Sequence, residues 1–212
     1  MKLALLGCAA MLALAGCSAG GAREIRSAFA DLDGARIVAQ ESNVAIIEFD
    51  SLPDRSVLFL NGIITQGTER GFRELLPKAI EQNTSDEPTP FLLNSPGGQT
   101  VPALRMGLTA REAGLATVVA ESTCVSSCAL LWLAGAERRA FGEARIGFHA
   151  PHWFLLQTRA DFADDLVREY LDALGYSENT ADVALQADAN EMVWLTPELA
   201  NALDLDVNAP RR

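Results

Sequence analysis

Two adjacent hydroxyls, Ser126 and Ser127, open the run Cys124-Val125-Ser126-Ser127-Cys128-Ala129-Leu130-Leu131-Trp132-Leu133-Ala134-Gly135. A helix so apolar on every side must be buried. A serine at its positive end gains from the helix dipole, and the amide after it is open to an oxyanion. The same serines could merely cap the helix. As a nucleophile, a serine needs a base, and beyond residue 16 the chain offers only His149, His152 and one lysine, Lys78. Lys78 falls in a polar-faced helical pattern, which supplies a Ser/Lys dyad poorly. His149 ends the strand-like run Ala144-Arg145-Ile146-Gly147-Phe148-His149, just before Ala150-Pro151. The third feature is Leu93-Asn94-Ser95-Pro96-Gly97-Gly98, between an apolar strand pattern and a helical one. Its glycines permit a turn whose amides face a ligand, as a carbonyl oxygen requires. A plain strand-to-helix turn has the same composition.

The elements around these motifs alternate. Strands are expected at 43–49, 57–60, 91–93, 117–120 and 146–149. Helices are expected at 68–82, kinked near Pro77, at 101–113 and from about Ser126, which implies mainly parallel pairing. The closing part reads as helical: 160–174, 177–188, and a short helix with Thr196 as N-cap and Pro197 in first position. Acidic residues between Asp161 and Asp172 alternate with Phe162, Leu166, Val167, Tyr170 and Leu171 at helical spacing, so the charges form the wet face. Trp132 and Trp194 sit in apolar runs and are expected in the core.

Of 212 residues, 49% are hydrophobic and 21% charged, the makeup of one globular domain rather than a disordered or fibrous chain. A net charge of −11 with no dense Lys/Arg run repels a phosphate backbone, so no nucleic-acid partner is expected. No apolar stretch beyond the first twenty residues reaches the ~20 needed to cross a bilayer.

The leader, MKLALLGCAAMLALAGC, has one cation, a short apolar run and small residues before a cysteine, as secretory signals do. Leu14-Ala15-Gly16-Cys17 further resembles the lipobox of bacterial lipoproteins, which implies cleavage before Cys17 and lipid on its thiol. Ser18 after it leans to the outer membrane by the same analogy. Residues 1–16 then form the signal, 17–35 the lipidated cysteine and tether, and 36–212 the folded domain. The mature chain keeps 16 basic and 28 acidic residues, a charge of −12. Cys8 leaves with the signal and Cys17 is lipidated, so Cys124 and Cys128 remain as the pair available to an oxidising compartment. Their spacing suits a disulfide; free buried thiols, or a zinc site drawing on His149 and His152, are the alternatives.

Taken in order, FLLNSPGGQTVPALRMGL, CVSSCALLWLAG, ARIGFHAP and EMVWLTPELANALDL resemble the ClpP-like serine peptidases of the ClpP/crotonase superfamily, notably their exported, periplasmic relatives. The resemblance covers about residues 56–207. It implies an α/β fold of repeated β-β-α units with a mainly parallel sheet and a helical C-terminal part. It places the nucleophile at Ser126, nine positions before Gly135, and the general base at His149. Ser127 would join Gly97 or Gly98 in the oxyanion hole. Glu191 aligns with the family's aspartate, with Asp188 as a rival. The cysteines bracket the serine where the family has small or apolar residues.

The resemblance further implies a peptide or unfolded-protein substrate, no metal or organic cofactor, no ATPase partner, and a helix at 160–174 through which copies could associate. A catalytically silent scaffold of the same fold is the principal rival. Acyl-CoA chemistry is weaker, because that cofactor is cytoplasmic.

Overall fold

Val44-Ala45-Ile46-Ile47 is apolar without alternation, and all four residues are buried, which marks a strand covered on both faces. A computed structural model describes residues 34–50, 52–153, 158–159, 161–188 and 190–207. The signal segment, Cys17 and nearly all of the tether lie outside the described residues.

The described residues begin with β1 (Ala35–Glu41), β2 (Val44–Phe49) and β3 (Leu52–Asn61), an antiparallel meander. It continues through α1 (Gln66–Glu81), β4 (Pro90–Asn94), α2 (Thr100–Glu112), β5 (Ala116–Ala120), β6 (Thr123–Val125), α3 (Ser127–Leu133) and β7 (Glu137–Phe141). Strands β3, β4, β5 and β7 pair in parallel, so one sheet runs β1-β2-β3-β4-β5-β7. After it come β8 (Arg145–Phe148), the short pair β9 (His152–Trp153) and β10 (Thr158–Arg159), α4 (Asp161–Ala173), α5 (Glu178–Leu185), β11 (Val193–Trp194) and α6 (Pro197–Ala202). A second sheet, β11-β8-β6, has β6 and β8 parallel and β11 antiparallel to β8.

Period-two alternation sorts the large sheet. Val44, Ile46, Leu58 and Leu60 face the main core with Phe72 of α1, Met106 of α2 and Trp132 of α3; Ala45, Ile47 and Phe59 face a smaller cluster on the other side. Every residue of α3 is buried, as its all-apolar sequence requires. The tyrosines of the C-terminal part tie into it: Tyr170 donates to the Leu130 carbonyl at 3.0 Å and Tyr176 to Leu133 at 2.6 Å. Among the described residues no helix is long and apolar enough to cross a membrane.

Pro77 lies within α1, whose start is fixed by a reciprocal capping box between Thr65 and Thr68. Two sequence expectations need correction. Trp132 is fully buried, but Trp194 is 38% exposed and lies beneath the Arg145 guanidinium, 4.0 Å from its ring centre. On α4, Val167, Tyr170 and Leu171 are buried while Phe162 and Leu166 face outward. The apolar stripe of that helix is wider than the surface it covers.

Candidate active site

The chain turns sharply between β6 and α3. Val125 pairs with Gly147 across the small sheet, and the Ser126 amide donates to the Gly147 carbonyl at 2.9 Å. Ser126 then takes φ 59° and ψ −131°, a region L-residues rarely occupy, before α3 starts at Ser127. Its side chain makes no capping hydrogen bond, so the capping role does not account for it. The helix dipole and first-turn amides of α3 are therefore presented beside an uncommitted hydroxyl.

Cys124 and Cys128 form a disulfide, with Cα atoms 5.2 Å apart and both residues fully buried. Free thiols and a zinc site are thereby set aside. The bond staples the last strand residues before Ser126 to the first turn after it.

The Gly-rich loop is clamped from two sides. Ser95 donates its amide to Thr123 at 2.8 Å and accepts from Val125 at 3.1 Å; on the other side Ile64 donates to Gly97 at 2.9 Å and Gln99 to Ile64 at 2.9 Å. Both glycines have positive φ, 91° at Gly97 and 148° at Gly98. A Cβ on Gly97 would fall 2.7 Å from the Cβ of Ser126, and one on Gly98 would fall 2.3 Å from the Ile64 carbonyl oxygen. The loop can approach Ser126 only because these side chains are missing.

The Gly97 amide is spent inside the loop, donating to Ser95 Oγ at 3.0 Å. Among the described residues the Gly98 amide has no acceptor. Of the two glycines that the motif offers an oxyanion, Gly98 is the one left open. The Ser127 hydroxyl is buried without a hydrogen-bond partner.

His149 follows β8 directly, one residue beyond the strand that holds Ser126. Its Nδ1 lies 2.8 Å from the Ala150 carbonyl, a contact that assigns the proton to Nδ1 and leaves Nε2 as acceptor. Burial holds the imidazole below its usual titration range, the Ala150 carbonyl opposes this, and the neighbouring His152 adds to it. The ring is thus neutral, and able to accept a proton, at pH 7.

Ser126, His149, Gly97 and Gly98 line one cavity of about 580 Å³, together with Ile63, Ile64, Thr65 and His152. Sequence reasoning had no signal for the isoleucines, which carry no chemistry. Lys78 is exposed on α1 and does not line this cavity. Glu191 is placed apart: it is exposed, its amide donates to Asp188 at 2.9 Å, and among the described residues no hydrogen bond or ion pair joins it to His149. The position that a triad carboxylate would take at Nδ1 is filled by the Ala150 carbonyl.

Among solved structures the chain is similar to a serine-to-alanine mutant of the 1510-N membrane-bound stomatin-specific protease, with TM-score 0.56 and 16% identity, over 73% of this chain and 78% of that one. The fold is that of the ClpP-like proteases. No protein-family model and no curated protein sequence matches the chain.

Proposed function

We propose that this chain is an exported, lipid-anchored serine hydrolase, a peptidase that works without ATP on short or unfolded peptides at the periplasmic face of a bacterial membrane. The observation that carries the chemistry is the turn at Ser126, which holds an unbonded hydroxyl against Gly97 in the cavity that also receives His149.

In this reading Ser126 Oγ attacks the scissile carbonyl carbon while His149 Nε2 takes its proton. The amides of Gly98 and Ser127 receive the oxyanion. His149 then gives the proton to the departing amine, and a water activated by the same imidazole releases the acyl group from Ser126. Each oxyanion donor should contribute ~2.7–4 kcal/mol to the barrier reduction. The Ala150 carbonyl fixes the tautomer; Glu191 would serve as third member only after a side-chain movement. The fold shared with a membrane-bound protease supports peptide as substrate, and the lipobox-like leader supports the anchor.

The separation of Glu191 from His149 favours a second reading, a silent scaffold of the same fold. A fluorophosphonate probe decides between them. Labelling that is lost in Ser126→Ala and kept in Ser127→Ala supports the hydrolase; no labelling of the wild type supports the scaffold. Labelled palmitate incorporation that disappears in Cys17→Ala tests the anchor.

A further inference from the structure

His149 is not the only imidazole in the cavity. The ring of His152, on β9, lies 5.1 Å from that of His149, tilted by 43°, and lines the same wall. Its Nδ1 is buried without a hydrogen-bond partner, while His149 spends Nδ1 on the Ala150 carbonyl. Among the described residues the cavity lining holds no carboxylate, lysine or arginine. Among the described residues, the ionisable groups on the elements around this corner include His152, Asp188 and Glu191 between α5 and β11, Glu178 and Asp182 on α5, and Arg145 at the far end of β8. Arg159 is the backbone register partner of His152.

We propose that His152 is a positioning residue for the base: its ring supports the His149 ring from β9, and its charge decides how readily His149 accepts a proton. The proposal rests on reading His149 as the general base. A positive charge on one ring disfavours a proton on the other at this separation in a partly buried cleft. His149 then stays neutral to lower pH than it would alone. The direction of its shift agrees, with burial as the larger cause and His152 acting in the same sense. The consequence is an enzyme that keeps its base working in mildly acidic surroundings.

The test uses the full chain with His152→Phe, which keeps a ring without a charge, and His152→Gln, which keeps neither. The side-chain titration of His149 is followed by NMR, and the fluorophosphonate labelling rate is followed against pH. In His152→Phe the His149 midpoint should rise, and labelling at pH 5.5 relative to pH 8 should fall about threefold or more below the wild-type ratio. His152→Gln should lose about tenfold at pH 8 as well, through loss of ring support, with Phe restoring most of it. An unchanged midpoint and pH profile in His152→Phe would overturn the proposal. Failure of the wild type to label at any pH removes the hydrolase reading instead, and the NMR midpoints still report whether the two rings are coupled.

Discussion

In the large sheet, β3, β4, β5 and β7 run in parallel with unbroken register, and their apolar residues face packed neighbours. A few ångströms away, the corner formed by the small sheet, the Gly-rich loop and the start of α3 breaks several of the same rules. A serine sits at positive φ, two consecutive glycines take conformations closed to other residues, a serine hydroxyl is buried unbonded, and two imidazoles share one wall. Strain of this kind costs about 1–3 kcal/mol per residue and persists only where the surroundings enforce it. The enforcement is visible: strand pairing on both sides of the loop, the disulfide, and α3 locked in the core. The regular region supplies the stability that the irregular region spends on holding the proposed nucleophile.

The sharpest way to break this comparison is at Ser126. Ser126→Ala should reduce turnover by on the order of 10⁴–10⁶-fold, measured with a peptide or ester substrate. Ser126→Gly should be equally inactive yet more stable than Ser126→Ala by about 1 kcal/mol in denaturant unfolding, because glycine accepts the positive φ that alanine resists. Equal stability of the two variants would mean that the turn is not strained.

Glycine substitution in the other direction separates the two regions. Gly98→Ala drives a Cβ into the Ile64 backbone and should cost about 10²–10³-fold in kcat by displacing an oxyanion donor. Gly114→Ala, after α2, also has positive φ, 68°, but its Cβ would meet nothing within 4 Å. It should cost about 1 kcal/mol of stability and leave kcat unchanged.

Replacing both cysteines, Cys124→Ala with Cys128→Ala, should lower stability by about 2 kcal/mol, the loop-closure value for so short a span. Because both residues are fully buried, reductant without denaturant should leave the thiol count unchanged. A folded, active protein that titrates two thiols after mild reduction would show the staple to be accessible.

His149 gives a pH test with a defined sign. Its imidazole titrates below the usual value of 6.5, so the acid limb of kcat/KM should lie below pH 6.5, with rate rising as the ring loses its proton. Stability follows the same sense: the unfolded chain takes up this proton more readily than the folded one. Folding should therefore weaken as pH drops below 6.5 and level off under the folded-state midpoint. A limb at or above 6.5 would place His149 in a wetter setting than the corner provides.

What the sequence disclosed tracks these two regions. Strands β2 to β5 and helices α1, α2 and α5 follow from apolar pattern and turn residues, because there local preference and tertiary packing agree. Strand β7, Glu-Arg-Arg-Ala-Phe, did not, since it lies at the sheet edge and carries charges where a buried strand would carry valines. Strand β1 was obscured by the register shift between Ile37 and Ala39, which spoils its alternation. In the candidate site, the convergence of the glycines, Ser126 and His149 on one cavity was legible from residue type and motif order. The choice of Gly98 over Gly97 was not, since it depends on where the Ser95 hydroxyl points.

The smallest effect is expected at Glu191, and it bears most directly on how the corner differs from a full triad. Its carboxylate is exposed, and the Nδ1 of His149 is already bonded to the Ala150 carbonyl. A charge in water is screened, and an imidazole already oriented by the backbone gains little from it. Glu191→Gln should therefore change kcat/KM by less than about threefold. A loss of about 10²-fold or more in Glu191→Gln alone would show that this side chain swings inward during turnover. The corner would then be an open triad that closes on substrate, rather than a serine–histidine pair oriented by its own backbone.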